Sequence, residues 1–168
     1  MSKETNRRDF IGYSFAAVAA VGGAASLVGM KQAWDPLPSV QSAGFVRVDV
    51  SAIQEGEVKT LQWRGKPVFI LRKSEQMARN SARDILIGDK VFTLVIGLCT
   101  HLGCIPYFEA KSKNFICACH GGVFDASGIN TFGPPPRPMD IPPFNIEGET
   151  LVLGVEGEVF KTLTAKKA

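Results

Sequence analysis

All the thiols and imidazoles of this chain sit in two short runs, Cys99-Thr100-His101-Leu102-Gly103-Cys104 and Cys117-Ala118-Cys119-His120-Gly121-Gly122. There are 4 cysteines and 2 histidines, and random scatter would not confine them to the stretch from Cys99 to His120. Each run offers one thiol, one imidazole and a second thiol. One Cys and one His from each would give a mixed sulfur–nitrogen ligand set built by two loops. Two thiols would then be left over.

Thiolate and imidazole together suit either a structural zinc or an iron-sulfur cluster. Zinc sites usually pair Cys with Cys and His with His. Here Cys99-x-His101 and Cys117-x-x-His120 mix the two types within each pair, and zinc would leave the extra thiols without a role. Thiol-disulfide catalysis fits less well still, because Cys117-x-Cys119 is one residue short of the Cys-x-x-Cys redox spacing and the histidines would be idle. On residue types alone, a zinc module or a non-enzymatic electron carrier on a membrane anchor stays open. No pocket-forming motif, nucleophile or base is legible elsewhere, so catalysis would belong to an assembly.

The elements that must hold these runs are bounded by length and composition. With 168 residues, 45% hydrophobic and 21% charged, the chain is neither mostly disordered nor a multi-span membrane protein. It has room for one globular domain with its own core. The net charge of +3 is spread as +1 over residues 1–44 and +2 over residues 45–168, which leaves no footprint for nucleic acid.

The N-terminus is polar and carries Arg7-Arg8, and an uncharged, Ala- and Gly-rich run follows from Phe10 to Met30. As a helix, residues 11–30 would reach about 30 Å, the thickness of a bilayer's hydrocarbon core. The start, Asn6-Arg7-Arg8-Asp9-Phe10-Ile11, resembles a twin-arginine export signal. The apolar run is longer than an ordinary signal-peptide core, which favours an uncleaved anchor over cleavage after Ser42-Ala43. Lys3, Arg7 and Arg8 against Lys31 predict a cytoplasmic N-terminus and an exported body in the periplasm. The expected organisation is a cytoplasmic segment at 1–10, a transmembrane anchor at 11–31, a tether at 32–44 with Pro36 and Pro38, and one domain at 45–168. In that domain, period-two apolar patterns at 46–50, 58–63, 68–71 and 144–155, broken by Gly and Pro, predict antiparallel strands. Residues 75–84 form the only expected helix of the body, and a short polar tail is expected at the C-terminus. The fold class is all-β.

At the two boxes the chain resembles the Rieske [2Fe-2S] family, in which two His replace two Cys on one iron. The resemblance implies that Cys99 and Cys117 bind one iron and His101 and His120 the other, holding one [2Fe-2S] cluster, and that Cys104 and Cys119 form a disulfide. Such a bridge, 15 positions long, would stabilise by roughly 3 kcal/mol on the loop-entropy model. Thr131-Phe132-Gly133-Pro134-Pro135-Pro136-Arg137-Pro138 resembles the family's proline loop, so Gly133, Pro134 and Pro135 are expected over the cluster. Leu102 would either dock the tip to a partner or pack beneath that loop.

By the same resemblance, the chain would be the iron-sulfur subunit of a respiratory cytochrome bc complex, a quinol:cytochrome c oxidoreductase. His101 or His120 would accept a hydrogen bond from quinol. One electron would pass through the cluster to a cytochrome c-type haem, with cytochrome b and c subunits as partners. The alternative is the small subunit of an arsenite oxidase. Many family members place Ser and Tyr where this chain has Gly122 and Phe124, and their hydroxyls hydrogen-bond cluster sulfurs. Without those donors the expected potential is lower, within the class span of about −150 to +300 mV, as menaquinol oxidation would require.

Overall fold

The computed structural model describes residues 6–35 and 44–165. Lys3, the central tether residues 36–43 with Pro36, Pro38 and Ser42-Ala43, and the Lys166-Lys167-Ala168 tail lie outside the described residues. The chain divides into two units, Met1–Gln41 and Ser42–Ala168.

The first unit contains helix α1, Arg7–Trp34. Its uncharged stretch is embedded in a 28-residue helix of mean hydropathy 1.7 across its most apolar window. The Asp9 carboxylate accepts the Asn6 N–H at the start, and the Asp35 N–H returns to the Lys31 carbonyl at the end. The hydroxyls of Ser14 and Ser26 donate to the carbonyls of Phe10 and Gly22, one turn back. Both serine hydroxyls of the apolar run are thus satisfied by the helix itself, as an environment without water favours.

The second unit is built from three antiparallel sheets. Strands β1 (Val46–Asp49), β10 (Phe144–Glu147) and β11 (Thr150–Leu153) form the first, in the order β1-β11-β10. Strands β2 (Val58–Trp63), β3 (Lys66–Arg72), β4 (Ile85–Ile87) and β5 (Lys90–Ile96) form the second, in the order β2-β3-β5-β4. Strands β6 (Tyr107–Glu109), β7 (Asn114–Cys117), β8 (Gly122–Phe124) and β9 (Asn130–Phe132) form the third, in chain order. Arg64 and Gly65 both take positive φ, at 49° and 73°, and close the β2–β3 hairpin in two residues with the twist the strands need.

β3 shows why the sheets stack. Successive side chains point to opposite faces of a strand. Val68 and Ile70 enter one core with Val48, Phe92, Phe144 and Leu151. Phe69 and Leu71 enter a second core with Phe115, Phe124, Met139, Cys99 and Cys117. The second sheet therefore carries a core on each face, and the unbroken apolar run Val68-Phe69-Ile70-Leu71 is the sequence mark of that double burial.

Two expectations are corrected. Residues 75–84 form turns and irregular chain rather than a helix. Their polar groups are recruited inward: the Lys73 ammonium donates to the Ala78 carbonyl, to Asp84 and to the Ser127 hydroxyl, and Asp84 also accepts the Asn80 N–H. A helix would commit the Ala78 carbonyl to its own ladder. Near the C-terminus, a helix α2 (Glu158–Ala165) stands where only a strand end and polar tail were expected. Leu163 is buried in the first core with Phe160 packed beside it, and the Phe160 ring meets Phe144 edge-on at 5.9 Å.

Candidate metal centre

The first box occupies the loop between β5 and β6. The Cys99 N–H donates to the Cys104 carbonyl and the Gly103 N–H to the Cys99 carbonyl, so the run is pinched into a narrow loop with both cysteines at its neck. The second box is the tip of the β7–β8 hairpin. Cys117 ends β7, pairs in register with Gly122 at the start of β8, and leaves Ala118, Cys119, His120 and Gly121 as the loop. Two hydrogen-bonded loops from a rigid scaffold thus bring the boxes together.

The donors separate by depth. Cys99 and Cys117 carry the free thiols, and both are buried, in the second core. His101 is half-buried and His120 exposed, with ring centroids 4.8 Å apart and planes nearly perpendicular. Sulfur is presented from the protein side and nitrogen from the solvent side. Burial pushes the Cys99 thiol above its ordinary pKa and the neighbouring Cys117 thiol adds to this, while the N–H groups of His101 and Leu102 act the other way. With its thiol so raised, Cys99 must give up a proton to become a metal ligand.

Cys104 and Cys119 form a disulfide between the loops. The sulfurs of Cys104, Cys117 and Cys119 lie within 4.8 Å of one another, so the bridge is placed beside the deep thiol. In a Cys104→Ala/Cys119→Ala chain the loss should be about 3 kcal/mol on the loop-entropy model, read as a lower unfolding midpoint in denaturant. An unchanged midpoint would show that the loop hydrogen bonds suffice.

The proline run packs on the second box. At Gly133, where φ is +87°, a Cβ would lie 2.9 Å from the Gly121 carbonyl oxygen and 3.0 Å from the Gly122 Cα. Pro135 is buried, whereas Pro134 and Pro136 are exposed. Three polar ties were missed by sequence reasoning. The Asn130 amide donates to the Pro135 carbonyl, the Thr100 hydroxyl donates to the Arg137 carbonyl, and Arg137 pairs with Asp140. Thr100, inside the first box, was the one signal available. Leu102 is 72% exposed, so it does not pack beneath the proline run. Phe124 is fully buried and Gly122 is buried, and neither residue carries a hydroxyl.

Fold and site together define a protein of the Rieske class, and the Rieske [2Fe-2S] domain model matches residues 45–145. Residues 1–36 match the model described as the ubiquitinol-cytochrome c reductase Fe-S subunit TAT signal. The chain is 36% identical over 163 residues to the ubiquinol-cytochrome c reductase iron-sulfur subunit of Bradyrhizobium diazoefficiens, covering 87% of this chain and 92% of that protein. It is 34% identical over 168 residues to the subunit of that name from Rhodospirillum rubrum, covering 89% and 92%. Among solved structures it resembles a chain of a hyperthermophilic respiratory Complex III, with a TM-score of 0.64, 37% identity, and 84% and 98% of the two chains covered. The chain belongs to the family of Rieske iron-sulfur subunits of ubiquinol-cytochrome c reductase.

Proposed function

We propose that this chain is the electron-transferring subunit of a respiratory cytochrome bc complex, accepting from quinol and donating to a cytochrome c-type haem. The observation that carries the reading is the donor set: two buried free thiols, two imidazoles toward solvent, and the other thiols tied in a disulfide. That set fits a cluster with sulfur on one iron and nitrogen on the other. Cys99 and Cys117 are assigned to the first iron, His101 and His120 to the second. When bound, the [2Fe-2S] cluster supplies a one-electron couple whose charge is felt by the imidazoles.

His101 and His120 would each hold the metal through one ring nitrogen, leaving the other as the site that takes up the proton. Deprotonated, it accepts a hydrogen bond from the quinol hydroxyl and then takes the proton. Exposure makes His120 the readier contact. Leu102 beside His101 presents an apolar surface for docking against a cytochrome b subunit. Helix α1 anchors the chain, uncleaved, with Arg7 and Arg8 in the cytoplasm and the Rieske domain in the periplasm. The working boundaries remain 1–10, 11–31, 32–44 and 45–168. The missing hydroxyls at Gly122 and Phe124 support a potential low enough for menaquinol. The relatives named above belong to quinol-oxidising complexes, and none is an arsenite-oxidase subunit.

The test is a redox titration of membranes followed by electron paramagnetic resonance of the reduced state. The midpoint is expected to fall as pH rises through the alkaline range, because reduction strengthens the ring's hold on its proton. A pH-independent midpoint would refute the imidazole proton step. Carbonate washing should leave the chain in the membrane; release without detergent would favour the arsenite-oxidase assignment instead.

A further inference from the structure

We infer that Gly122 sets the potential of this centre sterically: its missing Cβ lets the Pro135 ring seat on the second-box backbone and close the site to water. This rests on the reading that the two boxes hold the cluster.

A Cβ built at Gly122 would stand 2.6 Å from Pro135 Cγ and 3.0 Å from Cδ. Neither atom is the free end of a flexible chain, because both belong to a ring that fixes the backbone. Nor can the loop simply lift. The Pro135 carbonyl is held by the Asn130 amide at 3.0 Å, and the Arg137 carbonyl by the Thr100 hydroxyl at 2.6 Å. Gly133 lies directly on the Gly121–Gly122 backbone. Gly122 is not among the positive-φ glycines, so its backbone would accept other residues, and what excludes them is space alone.

The seam lies beside a proposed ligand, since the same Cβ would be 3.7 Å from the Cys117 Cβ. Gly122 and Pro135 are both buried there, and Cys117 is 2% exposed. The reduced centre carries one more negative charge than the oxidised one, and water stabilises it more. A closed apolar cover therefore lowers the potential. Gly122 acts twice in the same direction, by lacking a hydroxyl and by admitting the proline ring. Gly122→Ser changes both effects at once and cannot separate them.

Gly122→Ala does separate them, because it adds bulk without a donor. Three chains, Gly122→Ala, Pro135→Ala and the double variant, are compared with the unaltered protein in membranes. The readouts are midpoint potential and hydrogen-exchange protection of residues 119–124 and 130–137. Each single change is expected to raise the midpoint and reduce protection. The double variant should return toward the unaltered protein, because the new methyl occupies space vacated by Cγ and Cδ. A Gly122→Ala chain with unchanged midpoint and protection, or singles that merely add in the double, would overturn the inference. If Gly122→Ala does not fold, Pro135→Ala decides: a raised midpoint supports the seal and an unchanged one rejects it. An iron-free unaltered protein would instead defeat the assignment of the boxes, while exchange protection still reports the Gly122–Pro135 contact.

Discussion

A Cys117→Ser chain is expected to lose its iron entirely, and with it the reduced-state resonance and all quinol-dependent electron transfer. Cys117 ends β7 opposite Gly122 with 2% of its surface exposed, so its sulfur is delivered by strand pairing rather than by a loop that can adjust. A serine hydroxyl at that point stays protonated at neutral pH and is a poor soft ligand. No other thiol can stand in. The Cys104 and Cys119 sulfurs are within 4.8 Å of Cys117, but both are committed to the disulfide. Iron and acid-labile sulfide per chain measure the effect. The β-sheet signal in circular dichroism should persist, because the pairings Phe115↔Phe124 and Ile116↔Val123 do not depend on the thiol. A variant that kept full iron would remove Cys117 from the ligand set.

What the sequence made legible was whatever is encoded in neighbouring residues. The boxes are local, so their four cysteines and two histidines could be singled out by type and spacing, while the division into ligands and disulfide partners followed from family resemblance. The strands were legible where alternation or a double-sided apolar run marked them. Residues 75–84 misled because helix-forming side chains such as Met77, Ala78 and Ala82 are read without knowing that Lys73 claims the Ala78 carbonyl. Helix α2 was hidden by Val159, Thr162 and Thr164, which favour strands. Its buried Leu163 and the hydroxyl bonds of Thr162 and Thr164 to Glu158 and Phe160 compensate. The Gly122–Pro135 contact joins positions far apart in the chain, and no local pattern announces it.

Lys73→Met should have the largest effect on stability. The Lys73 side chain is fully inaccessible, and that of its partner Asp84, 2.7 Å away, is 7% exposed. The three ammonium protons are spent on Asp84, the Ala78 carbonyl and the Ser127 hydroxyl. Removing the cation strands a buried carboxylate, at a cost of about 3–5 kcal/mol. The unfolding midpoint of the domain should fall by on the order of 10 °C. Lys73→Met/Asp84→Asn removes the stranded charge while the one amide oxygen can still accept the Asn80 N–H, and should recover part of the loss. If the double variant is no more stable than the single, charge is not the cause. Burial also holds the Lys73 amine below its ordinary pKa, outweighing the upward pull of Asp84. Between that lowered value and the unfolded value of about 10.5, the unfolded chain holds the extra proton, so this residue's contribution to stability rises with pH there. Denaturant titrations on the alkaline side should show that rise in the unaltered protein and not in Lys73→Met. The same network reaches the metal centre: Arg83 donates to the Ser127 and Met139 carbonyls, and Thr93 to the Ala126 carbonyl, on both sides of the proline run. Loosening it should speed loss of iron from Lys73→Met at temperatures where the fold still stands, because the chain on either side of the proline run is held through these bonds.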